Sequence, residues 1–332
     1  MKISTVMATY NGEKYILEQL QSILNQNRKV DEVIVMDDLS SDDTVEIVKK
    51  FILRNSLNDS WFVYKNIENL GYKKNFQKGF EIATGDIIIL CDQDDIWEPN
   101  KVESIENVFI KTNALAMNSA FRFIDGDGNL INEIENNNNN NLLRRDCKTD
   151  EVISIAFETI LETNISPGCT MAISKKLKDI FLDVTEGWLP HDWELNIIAS
   201  LYEGDYFYNR KLTKYRIHGN NTIGLETDLR RVKLRSNITY EKRCSIILEK
   251  IQMAKFVDLL HEKEMVNGDK YSVFSRLRTY DNLRYKCVVE RKWYIWFFMV
   301  MYAIFIYKYH YIRPSALVGD LLFSIGMYDE KC

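Results

Sequence analysis

DIIILCDQDDIW, residues 86–97, decides the fold of this chain. Asp86 leads into apolar residues on consecutive positions, Ile87 to Cys91, and the run breaks into Asp92-Gln93-Asp94-Asp95. A strand with one wetted face alternates apolar and polar residues, whereas an unbroken apolar run suits a strand covered on both faces. Such strands sit centrally in mostly parallel sheets with helices on each side.

Upstream, the same grammar repeats. Residues 2–8 read as a buried strand turning at Asn11-Gly12, and Ile16, Leu17, Leu20, Ile23 and Leu24 follow at helical spacing. Residues 32–36 form a second short strand running into Asp37-Asp38. Ser41, with Thr44 and Val45 behind it, reads as the cap of a helix carrying Val48, Phe51 and Ile52. Residues 61–64 give a third strand. Phe76, Gly79, Phe80 and Ala83 mark one face of a third helix, which Gly85 ends. The repetition predicts an α/β, Rossmann-like, mostly parallel sheet with flanking helices.

Downstream the pattern loosens. Residues 114–124 and 129–131 predict a hairpin across Asp125-Gly126-Asp127-Gly128, and the asparagine tract 136–141 a polar surface loop. Residues 168–173 read as a strand and 192–202 as a helix. Beyond about residue 225 the chain reads as helical, with Ile246, Ile247, Leu248, Ile251 and Met253 in a charged-and-apolar stretch. With 332 residues and a prior of ~100–200 residues per domain, two regions are expected, 1–225 and a helical 226–332.

Composition removes several classes. Hydrophobic residues make up 46% of the chain, which excludes disorder for most of it. The net charge of −5 comes without a basic stripe, so no nucleic-acid footprint is present. Cys91, Cys147, Cys169, Cys244, Cys287 and Cys332 form no CxxC pair, and no secretory leader is recognisable. A reducing, cytoplasmic setting fits better than a disulfide framework or a zinc site. Residues 293–307, WYIWFFMVMYAIFIY, are bounded by Arg291-Lys292 and Lys308. The run falls short of the ~20 residues that span a bilayer. Its aromatic richness and basic flanks suit a helix at a membrane interface, at the inner face of the cell membrane. A buried helix or a homodimer surface are the alternatives.

Ligands of an open α/β sheet gather beyond the carboxyl ends of its strands. Three polar clusters fall there: Ala8-Thr9-Tyr10-Asn11-Gly12, Asp37-Asp38, and Asp92-Gln93-Asp94-Asp95. Carboxylates at i and i+2, at the mouth of a buried strand, can face one hard cation, Mg²⁺ or Mn²⁺, with diphosphate oxygens completing its shell. Such an ion neutralises charge on a departing nucleoside diphosphate. The plain alternative is a solvated acidic turn.

ATYNG, VIVMDDLSSDDT, NLGYKKNFQKGFEIATGD and IILCDQDDIW, in this order, resemble glycosyltransferase family 2 with the GT-A fold. The likeness continues more loosely through PHDWEL and YRIHGNNTIG to about residue 222. It implies an inverting, metal-dependent transfer of a sugar from a nucleotide-diphosphate donor. By that resemblance Thr9, Tyr10 and Asn11 contact the nucleobase, and Asp38 accepts from the ring imide of uracil or thymine. Lys74 and Asn75 lie near the nucleotide. Asp92 serves the ribose or the metal, Asp94 the metal, and His218 the metal or diphosphate.

Asp192 occupies the position of the family's catalytic base, although Asp at a helix start is also a common cap. Asp95, His191, Trp193 and Arg216 then either support the metal and nucleotide ligands from behind or line the acceptor: Trp193 could stack on a sugar and Arg216 pair with the diphosphate. CDQDDIW, PHDWEL and HGNNTIG are similar to the rhamnosyltransferase branch, which uses dTDP-rhamnose. UDP-glucose, UDP-galactose and UDP-N-acetylhexosamine are the competing donors.

The resemblance further implies a glycan or lipid-linked acceptor in bacterial capsule, O-antigen or cell-wall assembly. QxxRW and several spanning helices are missing, so one addition per encounter is expected rather than processive synthesis. GxGxxG and GxxxxGK[ST] are absent, which excludes dinucleotide and P-loop enzymes. A nucleotidyltransferase lacks its Gly-rich loop here. A silent nucleotide-sugar-binding scaffold conflicts with retention of Asp38, Asp92, Asp94, Asp192 and His218 together.

Overall fold

An unbroken apolar run needs partners on both sides and cover on both faces, and residues 87–92 have them. In the computed structural model, which describes residues 1–131, 147–218, 239–306 and 314–326, strands and helices alternate as predicted. The order is β1 (Ile3–Thr9), α1 (Ile16–Leu24), β2 (Glu32–Asp37), α2 (Thr44–Arg54), β3 (Trp61–Lys65), α3 (Tyr72–Ile82) and β4 (Ile87–Asp92). The four strands lie as β3-β2-β1-β4, all parallel. Thr9 is in register with Asp37, and Ala8 with Asp92, so the three polar strand ends meet at one level.

The chain continues through β5 (Ile96–Trp97), α4 (Lys101–Lys111), β6 (Ala116–Ile124), β7 (Val152–Ser154) and α5 (Phe157–Glu162). It closes the unit with β8 (Met171–Ser174), α6 (Lys175–Val184), α7 (His191–Leu201) and β9 (Asp205–Arg216). These extend the sheet as β4-β8-β6-β9-β5, with β7 on β9. The antiparallel β8 separates the parallel core from the parallel β6–β9 pair. The α/β class with a mostly parallel sheet is thereby established.

Helical periodicity explains how the sheet is covered. Ile16, Leu20 and Ile23 of α1 bury their side chains with Val48 and Phe51 of α2 against Ile3, Val33 and Ile87. Burying each such side chain contributes roughly 1.5–3 kcal/mol. On α3, Phe76 and Phe80 are buried, and Phe80 meets Phe181 of α6 edge to face at 5.8 Å.

Several local expectations change. The cap position of α2 is Asp43, not Ser41, because the Ser41 amide donates to Asn11 Oδ1 at 2.9 Å. α3 stops at Ile82 with Ala83 turning extended, while Gly85 donates its N–H to Ser4 Oγ. The hairpin across 125–128 is reduced to a single bridge, Ile124 with Leu130. Residues 168–170 form a 3₁₀ turn ahead of β8 rather than its start. The asparagine tract 136–141, the residues 219–222 after His218, the boundary expected near 225 and His310 lie outside the described residues.

The chain divides into two compact units, Met1–Leu229 and Arg230–Cys332. In the second, the described residues form α8 (Tyr240–Glu262), α9 (Gly268–Arg284), a π turn at Tyr285–Val289, a 3₁₀ turn at Trp293–Ile295, α10 (Trp296–Ile306) and α11 (Pro314–Ser324). Thr239 and Asn267 cap α8 and α9 through their side-chain oxygens. Asp320, fully buried, accepts from Arg243 Nε at 2.6 Å and Arg284 Nε at 2.8 Å, tying α8, α9 and α11 together. An unpaired carboxylate there would cost several kcal/mol. The five described cysteines are free thiols, and no described helix is long and apolar enough to cross a membrane.

Candidate active site

Parallel strands deliver the first three clusters to one crevice, and side chains then lock the loops to each other. The Tyr10 amide donates to Gln93 Oε1 at 2.9 Å, and Gln93 Nε2 donates to the Tyr10 carbonyl at 3.0 Å. The residue between Asp92 and Asp94 thus holds the β1 loop as an added strand would. This arrangement requires Gly12, where a Cβ would lie 2.1 Å from Gln93 Oε1. Asn11, at φ 48°, donates its amide to Ser40 Oγ at 2.8 Å and accepts from the Ser41 amide.

Thr9, Asp38 and Asn75 are all buried. Thr9 Oγ1 donates to Asp37 Oδ2 at 3.0 Å. Asp38 Oδ1 accepts from Asn66 Nδ2 at 2.9 Å and from the Leu70 amide at 2.8 Å, and Oδ2 from the Gly71 amide at 2.7 Å. Asn75 donates to the Met36 carbonyl and accepts from Asn66. These residues build the wall at the end of β2. The Tyr10 ring and Lys74 are exposed beside it.

The acids sort differently from their spacing. Ligand atoms of Asp92, Asp95 and Cys169 lie within 4.8 Å of one another, whereas Asp94 Oδ2 pairs with His218 Nε2 at 2.8 Å. Burial, then the Asp95, Asp94 and Asp192 carboxylates, raise Asp92 well above the usual range. Burial followed by Asp94 pushes Asp95 up to about 7. Among the described residues Asp95 Oδ2 has no hydrogen-bond partner, while Oδ1 accepts from the Arg216 amide at 3.0 Å.

Among the described residues, Lys101 brings a buried cation close enough to favour the ionised forms of Asp92 and Asp95. Lys101 Nζ donates to the Cys169 carbonyl and to Thr213 Oγ1, each at 2.8 Å, and sits 4.3 Å above the Trp97 ring. Buried charge is costly unless paired. A cluster of carboxylates with an orphaned oxygen and a histidine beside it fits a hard divalent cation. Cys169 suits that ion poorly, since burial, then Asp95 and Asp92, hold its thiol protonated.

Arg216 is committed elsewhere than the diphosphate role suggested. Its Nε donates to the Asp94 carbonyl at 2.7 Å, Nη1 to the Asp125 and Gly126 carbonyls, and Nη2 to Glu18. The guanidinium, over the Tyr15 ring, braces the acidic loop from behind. Tyr15 also stacks on His218 at 4.8 Å.

Asp192 enters from α7. Pro190 occupies the cap position, so Asp192 is not the cap, although its Oδ1 accepts from the Trp193 amide. Oδ2 accepts from Asn164 Nδ2 at 2.9 Å, and Asn164 Oδ1 accepts from Asn196, which in turn accepts from Asn118. Burial pushes the carboxyl up to about 6. Gly168 makes room for α7: a Cβ there would stand 3.1 Å from His191 Nε2 and 3.6 Å from Asp192 Cβ.

His191 is buried, stacked on Phe76 at 4.4 Å, and pushed down to about 3 by burial and then by Lys73. Trp193 is 5% exposed and donates Nε1 to the Ile160 carbonyl, which leaves no open face for the expected sugar stacking.

Sequence reading missed Gln93, Lys101, Asn164 and Cys169. Gln93 was readable only as the spacer of the acidic motif, and Lys101 stands in an ordinary helix start. Nothing near Asn164 or Cys169 signalled a site.

The sequence pattern of glycosyl transferase family 2 matches residues 4–181. The chain is 28% identical over 277 residues to dTDP-rhamnosyl transferase RfbG of Shigella flexneri, covering 76% of this chain and 86% of that protein. Its fold is similar to S. aureus TarS 1-349 in complex with UDP-GlcNAc, with TM-score 0.51, 20% identity, and 79% of this chain and 73% of that one covered. GalNAc-T7 with UDP, GalNAc and Mn²⁺ gives TM-score 0.50 at 15% identity over 68% of this chain and 45% of that one. At these identities the structural likeness is one of fold.

Proposed function

Because the chain belongs to glycosyl transferase family 2, we propose that it is an inverting transferase adding a single sugar from a nucleoside-diphosphate donor to a glycan or lipid-linked acceptor. The setting is bacterial cell-surface polysaccharide assembly at the inner face of the membrane, and the donor is dTDP-rhamnose. The donor assignment draws on the relative named as a dTDP-rhamnosyl transferase. The region 1–225 carries catalysis and 226–332 the attachment role.

The observation that best supports this reading is the gathering of Asp92 and Asp95 with the Asp94–His218 pair, 2.8 Å apart, at the mouth of the central parallel strand. Thr9, Tyr10 and Asn11 flank the nucleobase. Asp38 has one lone pair left on Oδ2 after three donors, enough to accept from a ring imide. Lys74 reaches the nucleotide from the rim of α3.

Asp94 and His218, with Asp92, would hold Mn²⁺ or Mg²⁺, and the bound ion neutralises charge on the departing diphosphate. Asp192, ionised at neutral pH, takes the acceptor hydroxyl's proton as that oxygen bonds to the anomeric carbon and the bond to diphosphate breaks. Asn164 holds the carboxylate in aim.

The test is release of nucleoside diphosphate from dTDP-rhamnose, UDP-glucose, UDP-galactose and UDP-N-acetylglucosamine, each with and without Mn²⁺. Metal-dependent turnover of dTDP-rhamnose is expected. Turnover of a UDP-sugar alone overturns the donor. Nucleotide binding with no turnover of any donor favours a silent nucleotide-sugar-binding scaffold.

A further inference from the structure

In the second unit, α10 is apolar on two opposite faces. Met299, Ala303 and Ile306 are buried in the unit, while Phe297, Phe298, Met301, Ile304 and Phe305 are each more than half exposed. Trp296 Nε1 donates to the Leu317 carbonyl at 2.8 Å, fixing the helix on α11. Trp293 and Tyr294, just ahead of the helix, are exposed as well. A monomer rarely leaves so many large apolar side chains contiguous in water.

Charge decides what covers this face. From Arg291 to Gly319 the sequence contains Arg291, Lys292, Lys308 and Arg313 and no Asp or Glu. Lys292 pairs with Glu290 at 2.7 Å, and the stretch still carries a net positive charge in sequence, which a second copy would bring against itself. An anionic bilayer complements it, and aromatic residues beside basic ones suit the depth of lipid headgroups. No described helix is long enough to span, so the contact is a helix lying in the interface.

Resting on the proposed function for its setting, we infer that the outer face of α10 inserts into the surface of an anionic membrane. Phe297, Phe298, Met301, Ile304 and Phe305 enter the acyl boundary, and Trp293 and Tyr294 sit at the headgroups. This would hold the enzyme where lipid-linked acceptors lie.

The test is flotation of the full chain with phosphatidylcholine vesicles, with and without phosphatidylglycerol. Binding is expected only to the anionic vesicles, with a blue shift in tryptophan emission. Phe297→Gln and Phe305→Gln should each lower the vesicle partition at least roughly tenfold, since burying a Phe contributes about that factor or more. These side chains are exposed, so an unchanged melting temperature and nucleotide response should show intact variants. A chain that binds neither vesicle overturns the inference, as do variants that bind like the parent. A dimer that the same substitutions dissociate, without vesicle binding, assigns the face to a second copy. Vesicle binding without nucleotide binding would sink the transferase reading and leave the membrane contact standing.

Discussion

His218 Nε2 lies 2.8 Å from Asp94 Oδ2, across 124 residues of chain. The pair joins the end of β9 to the end of β4, with Tyr15 stacked on the imidazole. In the proposed site the two act together on one bound metal. His218→Ala and Asp94→Ala should each abolish the Mn²⁺-dependent part of the thermal stabilisation by dTDP or UDP. For scale, a ligand at 100 times its Kd stabilises by about 2.7 kcal/mol. A full Mn²⁺-dependent shift in His218→Ala would remove the histidine from the site.

The fold of residues 1–97 was legible because buried parallel strands leave continuous apolar runs and their helices leave a 3.6-residue period. The polar ends of β1, β2 and β4 followed from the topology alone. β9 went unread, since Asp205 to Arg216 mixes Lys, Arg and Asn with Tyr and Phe and shows no clean alternation. Without β9 nothing placed Lys101 beside Thr213 or set Arg216 behind the acids. Asn164 was invisible for a related reason: its value lies in a bond to Asp192, and no local pattern encodes a partner 28 residues away.

Gly12 and Gln93 provide a test of how the two loops hold each other. Gly12→Ala drives a methyl into the Gln93 amide, which must swing away and give up its two bonds to Tyr10, a loss of about 1–3 kcal/mol. Nucleotide affinity should fall with it, because the displaced amide releases Tyr10. Adding Gln93→Ala should recover part of the stability but none of the affinity. Additive losses in a urea-unfolding cycle would show that the two residues do not interact.

Lys101 answers for the charge of the acidic cluster. Lys101→Met keeps the length of the side chain, removes the cation that favours the ionised forms of Asp92 and Asp95, and leaves the Cys169 carbonyl and the Thr213 hydroxyl without their donor, which should destabilise the protein by roughly 1–3 kcal/mol. Mn²⁺ should restore more stability to this variant than to the parent. A loss below about 1 kcal/mol in urea unfolding, within the range of ordinary surface substitutions and small repacking, would show that the lysine does not compensate those acids.

Asp192, as the proposed base, sets the expected pH dependence. Its carboxyl is pushed up to about 6 by burial, and a base must be ionised to act, so turnover measured at saturating Mn²⁺, which favours the ionised forms of the neighbouring Asp92 and Asp95, should be flat above that pH and fall about tenfold per unit below it. Asp192→Asn should keep nucleotide binding and lower transfer by ~10²–10⁴. Asn164 donates to the ionised carboxylate and thereby holds its pKa down. Asn164→Ala should therefore move the acid limb to higher pH, with kcat recovering as pH rises. A merely structural loss would lower kcat equally at every pH and leave the limb in place. That outcome, or a normal rate in Asp192→Asn, would move the base to another residue.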